Sequence, residues 1–120
     1  MTGNTLKISD LSSFTGTEQW YRHGLMRKVL YTDGVKYVAD TGGAYWLIDE
    51  IAFGQAMVDV AREEFQVWKL TVNSDQTATL SCEDGNDRVI ITKKIEYTDF
   101  PMNEIVFYYR DNVLMLPNEY

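Results

Sequence analysis

The only histidine of the chain, His23, lies in the stretch TGTEQWYRHG, Thr15 to Gly24, beside Glu18, Tyr21 and Arg22. Histidine titrates nearest neutral pH and is the commonest acid–base side chain. Glu18, Tyr21, Arg22 and His23 are therefore the acid–base centre the sequence offers. Their spacing argues against it. Five positions apart on a strand, Glu18 and His23 point to opposite faces, and on a helix they also diverge in angle. A catalytic His23 needs a carboxylate from elsewhere in the chain, and no motif identifies one. The preferred reading makes Trp20 and Tyr21 anchors of the segment, with Arg22 and His23 at a helix end or in solvent.

Other reactive groups are sparse. Cys82 is the single cysteine, so an internal disulfide is excluded, and one thiol does not build a zinc site. Its place in the alternating run TATLSCE turns it toward the core, where a thiol is inert. CEDGNDR gathers Glu83, Asp84 and Asp87 around a glycine, but the spacing of a calcium loop is missing, and a solvated hairpin tip is the better reading. Asp49-Glu50 and Glu63-Glu64 read as solvent-facing helix turns. There is no Gly-rich phosphate loop, nucleophile elbow or Cys/His cluster, so neither a cofactor nor a metal is expected.

The charge balance narrows the partners. Eleven basic and 18 acidic residues give a net charge of −7, and the basic residues cluster only as the pairs Arg27-Lys28 and Lys93-Lys94. Direct binding to a phosphate backbone is disfavoured by a field of this sign. A protein partner with a basic surface is compatible with it, including the nucleic-acid groove of another protein. Trp20, Trp46, Trp68, Tyr108, Tyr109 and Tyr120 exceed what one small core readily houses, and Tyr and Trp suit interfaces. The candidate contact residues are Asp49, Glu50, Glu63, Glu64, Glu83, Asp84 and Asp87, with Tyr108 and Tyr109.

These residues must be positioned by one domain spanning residues 1–120, the size at which a single core suffices. FQVWKLTV (65–72), TATLSCE (77–83), RVIITKKIEY (88–97), EIVFYYR (104–110) and VLML (113–116) read as strands from β-branched and aromatic content and alternation. NSDQ, DGND and DN supply turns, and Pro101 breaks the chain after the third strand. An antiparallel meander of about five strands follows. In EIVFYYR, Ile105, Phe107 and Tyr109 share one face and Val106, Tyr108 and Arg110 the other. Large apolar groups lie on both, so either helices cover both sides or one side meets another chain.

The first half is less regular. DLSSF reads as a short helical turn capped by Asp10. TEQWYRHGLMRKVLY holds one or two strands broken at Gly24. YTDGVKYVAD fits a hairpin at Asp33-Gly34 or a helix capped by Thr32 and closed by Gly42-Gly43; the helix is preferred. AYWLIDEIAF (44–53) is an amphipathic helix with Ala44, Leu47, Ile48 and Ile51 inward, and QAMVDVAREEF (55–65) continues or restarts it. The expected fold is α+β, with two or three helices packed mainly on one face of the sheet.

DLSSFTGTEQWYRHG and LYTDGVKYVADTGGAYWLIDEIAFGQ resemble a family of small uncharacterised bacterial proteins. The shared features are a Ser-x-Phe-x-Gly-Thr-Glu-x-Tyr opening, at whose last position this chain has Trp20, and a Thr-Asp-Gly-Val-x-Tyr-x-Ala core followed by Trp-x-x-Asp-x-Ile. The resemblance is firm over residues 10–72 and looser beyond. It implies no activity and no catalytic residue. It does imply a bacterial, plasmid or phage setting, where small acidic proteins inhibit host machinery.

The sequence therefore points to a non-enzymatic protein-binding module, in its sharpest form a mobile-element inhibitor of a host nucleic-acid-handling or defence complex, such as an anti-CRISPR protein, acting through an acidic surface. A small enzyme centred on His23 and a structural homo-oligomer subunit, such as a homodimer, are the alternatives. No apolar run approaches the roughly 18 residues of a membrane span. The opening MTGNTLKISD carries no export pattern, so a cytoplasmic location is expected.

Overall fold

A computed structural model describes residues 6–120, with the side chains of all but Ile8 and Ser9. The absence of an export pattern, read from MTGNTLKISD, falls in part on residues 1–5, outside the described residues. In chain order the elements are α1 (Ile8–Leu11), β1 (Trp20–Arg22), β2 (Leu30–Thr32), α2 (Asp33–Gly42), α3 (Tyr45–Gly54), α4 (Val58–Ala61), β3 (Phe65–Val72), β4 (Ala78–Glu83), β5 (Val89–Ile95), β6 (Glu104–Arg110) and β7 (Val113–Met115), followed by a 3-10 turn at Pro117–Glu119.

The local signals explain most of these. Thr32 is the N-cap of α2, its hydroxyl accepting from the Val35 amide at 3.3 Å. Gly43 ends the helix at φ 63°, ψ 40°, a left-handed conformation glycine adopts without a Cβ clash. The helix reading of residues 32–40 therefore holds. At the N-terminal turn the expectation shifts by one element: Asp10 does not precede a helix but sits inside α1, its carboxylate accepting from the Lys7 amide at 3.1 Å.

The sheet has seven strands in the order β1-β2-β7-β6-β3-β4-β5, so a count of five is too low. The two extra strands, β1 and β2, are three residues each and too short to show a period. Nor is the sheet wholly antiparallel, since β2 and β7 run parallel. The meander also fails at one step: β6 pairs with β3, not β5. After β5 the chain crosses the β3–β4 turn, where Thr98 donates its amide to the Gln76 carbonyl at 2.8 Å. Phe100 is buried beside Gly42 of α2. Val72 then donates to the Asn103 carbonyl at 2.7 Å, delivering β6 to the free edge of β3.

Alternation decides the two faces. Gln66, Trp68 and Leu70 of β3, Ala78, Leu80 and Cys82 of β4, and Ile105, Phe107 and Tyr109 of β6 are buried, with Val35, Val38, Leu47, Ile51 and Val60 of the helices in the same core. The opposite face, with Phe65, Val67, Val106, Tyr108 and Met115, is only half-buried. The helices thus serve one side.

One polar network crosses the core. Gln66 is 1 % exposed; its amide exchanges hydrogen bonds with Gln55 at 2.8 and 2.9 Å, donates to the Val60 carbonyl and accepts from the Trp68 indole. It ties the α3–α4 connection to β3 with every group paired, the condition under which buried polar groups are tolerated.

Candidate functional site: an acidic, aromatic end of the sheet

His23 follows β1 and is 6 % exposed. Its Nε2 lies 2.7 Å from Asp49 Oδ1 of α3, and its Nδ1 accepts from the amides of Leu25 at 3.2 Å and Met26 at 2.9 Å. Because Nδ1 faces two N–H donors, the proton belongs on Nε2, directed at Asp49. The Phe53 ring meets the imidazole edge-on at 5.5 Å. The group lines a recess of about 240 Å³ with Tyr31, Tyr45 and Ile48. Asp49 is thus the carboxylate that the sequence does not identify. The arrangement has the buried imidazole and acidic neighbour of an acid–base pair. It leaves no ring nitrogen for a substrate, since Nδ1 accepts two amides and the Nε2–H donates to Asp49.

The other three residues grouped with His23 point elsewhere. The Glu18 amide donates to Asp33 at 3.0 Å. The Tyr21 hydroxyl lies 3.1 Å from both Asp33 Oδ1 and Gln19 Oε1, its one proton donated to the Asp33 carboxylate, and the Arg22 guanidinium donates to the Arg27 carbonyl. Asp33, the first residue of α2, gathers this segment. Its carboxyl is held below the ordinary carboxylate range, first by the Glu18 amide and then by Tyr21 and Thr17. On the other side of Thr32, the Glu119 carboxylate accepts from the Thr32 hydroxyl at 2.6 Å, the Leu116 amide at 2.9 Å and the Gly34 amide at 3.1 Å. The motif residues Thr17, Glu18, Thr32, Asp33 and Gly34 therefore form one structural hub at the start of α2. Sequence reasoning found the Thr32 cap and missed Glu119, which lies 87 positions away.

Five of the candidate carboxylates come together at one end of the sheet. Glu63 and Glu64 immediately precede β3, and Glu83 ends β4 opposite Val67. Asp84 and Asp87 belong to the β4–β5 turn. Arg88 joins two of them, its guanidinium reaching Glu63 at 2.8 Å and Asp84 at 3.2 Å. Asp84 is also held low by the Asn86 amide, the largest influence on it, and then by the Arg88 amide and guanidinium. Glu64, Glu83 and Asp87 have no ion-pair partner among the described residues.

Aromatic rings adjoin this end on the open face. Phe65, Tyr108 and Tyr120 meet edge to face, with centroids 5.0, 5.5 and 5.6 Å apart. Arg110, paired with Phe65 across the strands, donates to the Tyr120 hydroxyl at 2.7 Å. Trp20, 56 % exposed, lines a neighbouring groove with Arg110, Met115 and Tyr120.

The remaining candidates do not join them. Asp49 is bonded to His23, and Glu50 meets Lys93 at 2.7 Å on the helix side. Tyr109 is 6 % exposed and turned to the covered face, where burial pushes its hydroxyl up to about 12. Its strand alternates, so placing Tyr108 outward places Tyr109 inward, and only Tyr108 is available for contact. Cys82 is fully buried and its thiol is pushed up to about 12, chiefly by burial. Among the described residues no group of three or more His, Cys, Asp or Glu could hold a metal ion, and no helix is long and apolar enough to cross a membrane.

No curated protein and no solved structure matches the chain. The sequence profile of a Family of unknown function (DUF6876) matches residues 5–120. That span takes in the hub, the His23–Asp49 pair and the acidic end alike, and the chain belongs to this family.

Proposed function

We propose that the protein is a non-enzymatic protein-binding module that docks by the acidic, aromatic end of its sheet onto a basic surface of a partner. The observation that carries the reading is the gathering of Glu63, Glu64, Glu83, Asp84 and Asp87 beside the Phe65–Tyr108–Tyr120 cluster. Rings held rigid by one another supply contact area at small entropic cost, and carboxylates around them set charge complementarity and register. In its sharpest form the module is a mobile-element inhibitor acting in the cytoplasm. Its carboxylates stand in for nucleic-acid phosphates in the groove of a host defence or nucleic-acid-handling complex.

The test is affinity capture from the native host with the wild-type chain and with a Glu64→Lys/Asp87→Lys variant, each at low and high salt. A specific protein retained by the wild type, and lost on charge reversal or in high salt, is the expected outcome. Capture indifferent to both changes would overturn the acidic-end reading.

A further inference from the structure

Two main-chain amides end on one nitrogen of a buried imidazole, and that nitrogen accepts them only while it is unprotonated. From this geometry we propose that His23 is a proton-sensitive latch for the β1–β2 loop. In the closed state His23 Nδ1 accepts from the Leu25 and Met26 amides while Nε2 donates to Asp49. The loop is closed around the ring by two more bonds, His23 amide to Val29 carbonyl and Val29 amide to Met26 carbonyl, both 2.9 Å. A second proton can enter only at Nδ1. It converts the acceptor into a donor facing two other donors, so the amides must turn away for the ring to become cationic.

The surrounding charges leave the sign to the two amides on Nδ1. Asp49 favours the cation, but its side chain is 54 % exposed, so solvent screens that attraction. Tyr31 and Tyr45 line the same recess, and burial first of all holds both hydroxyls above their ordinary value, so they stay neutral as the ring titrates. Arg22, Arg27 and Lys28 neighbour His23 along the chain but are exposed, so solvent screens them as it screens Asp49. The neutral ring therefore goes with the closed loop and the cationic ring with the open one. Protonation at Nδ1 therefore releases the latch.

Release has a structural consequence. Leu25 to Val29 form one wall of a cleft of about 830 Å³ whose other walls include Glu64, Gln66 and Tyr109. Opening the loop reshapes this cleft, which lies next to the acidic end of the sheet.

The experiment is an NMR titration of the full chain from pH 8 downward, following the His23 ring and the amides of Leu25, Met26 and Val29, with Val38 and Ala39 of α2 as references. Ring protonation accompanied by coincident shifts of the Leu25 and Met26 amides, and by at least ten-fold faster exchange with water there but not in α2, is the expected result. A ring that protonates while both amides stay protected would overturn the latch, as would a ring that resists protonation until α2 melts with it. The Asp49→Asn variant sharpens the reading: without the carboxylate the cation is less favoured, so opening moves to lower pH. Opening at unchanged or higher pH would count against the latch.

Discussion

At the start of α2, the carboxylates of Asp33 and Glu119 end on main-chain amides and hydroxyls of their own chain, with Glu119 bridging Thr32, Gly34 and Leu116. At the β4–β5 turn, Glu63 ends on one exposed arginine, which Asp84 shares while also accepting from the Asn86 and Arg88 amides of its own turn, and Glu64 and Asp87 meet no ion partner among the described residues. The residue types are the same in the two regions, but the amides that Asp84 accepts lie within its own turn, whereas Asp33 and Glu119 join segments 15 and more than 80 positions apart. Main-chain amides cannot leave the fold, and that of Gly34 adds the fixed partial positive charge of a helix N-terminus. A surface guanidinium can swing into water, and such pairs contribute little to stability. The first region thus reads as a joint and the second as a contact surface.

The sharpest way to break this contrast is at Gly34. A Cβ there would stand 2.6 Å from Leu116 Cδ1 and 2.7 Å from Glu119 Oε1. Leu116 is buried and cannot simply swing aside, and Glu119 can move only by dropping its bonds. Gly34→Ala should destabilise the chain by about 3 kcal/mol, combining overpacking with lost hydrogen bonds. Urea unfolding followed by Trp fluorescence measures it. A loss below about 1 kcal/mol would mean that the joint has slack and that the contrast between the regions is overstated.

Next in size is Glu119→Ala, which leaves the Thr32 hydroxyl and the amides of Gly34 and Leu116 without their acceptor. Hydrogen bonds to a charged group contribute about 1.5–3 kcal/mol, and water can replace part of the set, so a loss of about 2 kcal/mol is expected. Glu119→Gln keeps one acceptor oxygen and should lose about half as much. Equal losses for the two variants would show that charge, not acceptor geometry, holds the joint.

Why Glu119 is invisible in the sequence bears on the whole fold. β3 and β6 are legible with the bounds the structure gives, because alternation and β-branched content are properties of neighbouring residues. Thr32 and Gly43 likewise announce the ends of α2 through local cap chemistry. The sheet order is not legible, since whether β6 pairs with β5 or β3 depends on where Phe100 buries its ring and no local pattern encodes that. β1 and β2 are legible as one or two strands broken at Gly24, but their bounds and their parallel contact with β7 are not, since three residues show no period. The acidic end was named residue by residue. That five members gather there follows from the β3–β4 register, whereas the inward turn of Tyr109 could have been read from the alternation of its own strand.

Acid tests the joint by a different property. Asp33 is held low mainly by the Glu18 amide, so its bonds favour folding wherever it is ionised. A carboxyl depressed in the fold contributes above its ordinary value, 3.8 for Asp33, and the contribution is lost as the pH falls through the lower folded value. Docking of residues 17–21 onto α2 should therefore persist through mildly acidic conditions and loosen only below the ordinary carboxylate range. Hydrogen exchange at the Glu18 amide reports it. In Asp33→Asn the Glu18 amide should exchange faster than in the wild type at neutral pH, and its protection should no longer fall as the carboxylate range is crossed. A wild-type amide whose protection stays level through that range would remove Asp33 from the joint.

The smallest stability effect belongs to the second region. Glu64 and Asp87 are exposed and have no ion partner among the described residues, so no structural bond is lost when they are reversed. Neighbouring Glu63, Glu83 and Asp84 repel them, and reversal relieves that repulsion. Glu64→Lys with Asp87→Lys should leave unfolding free energy within about 0.5 kcal/mol of the wild type, on either side of zero, while altering any association that relies on the acidic end. The two readouts must part company for the contrast to stand. If the double reversal destabilises the chain as much as Glu119→Ala, the turn is a second joint, and its carboxylates are held by the fold rather than offered to a partner.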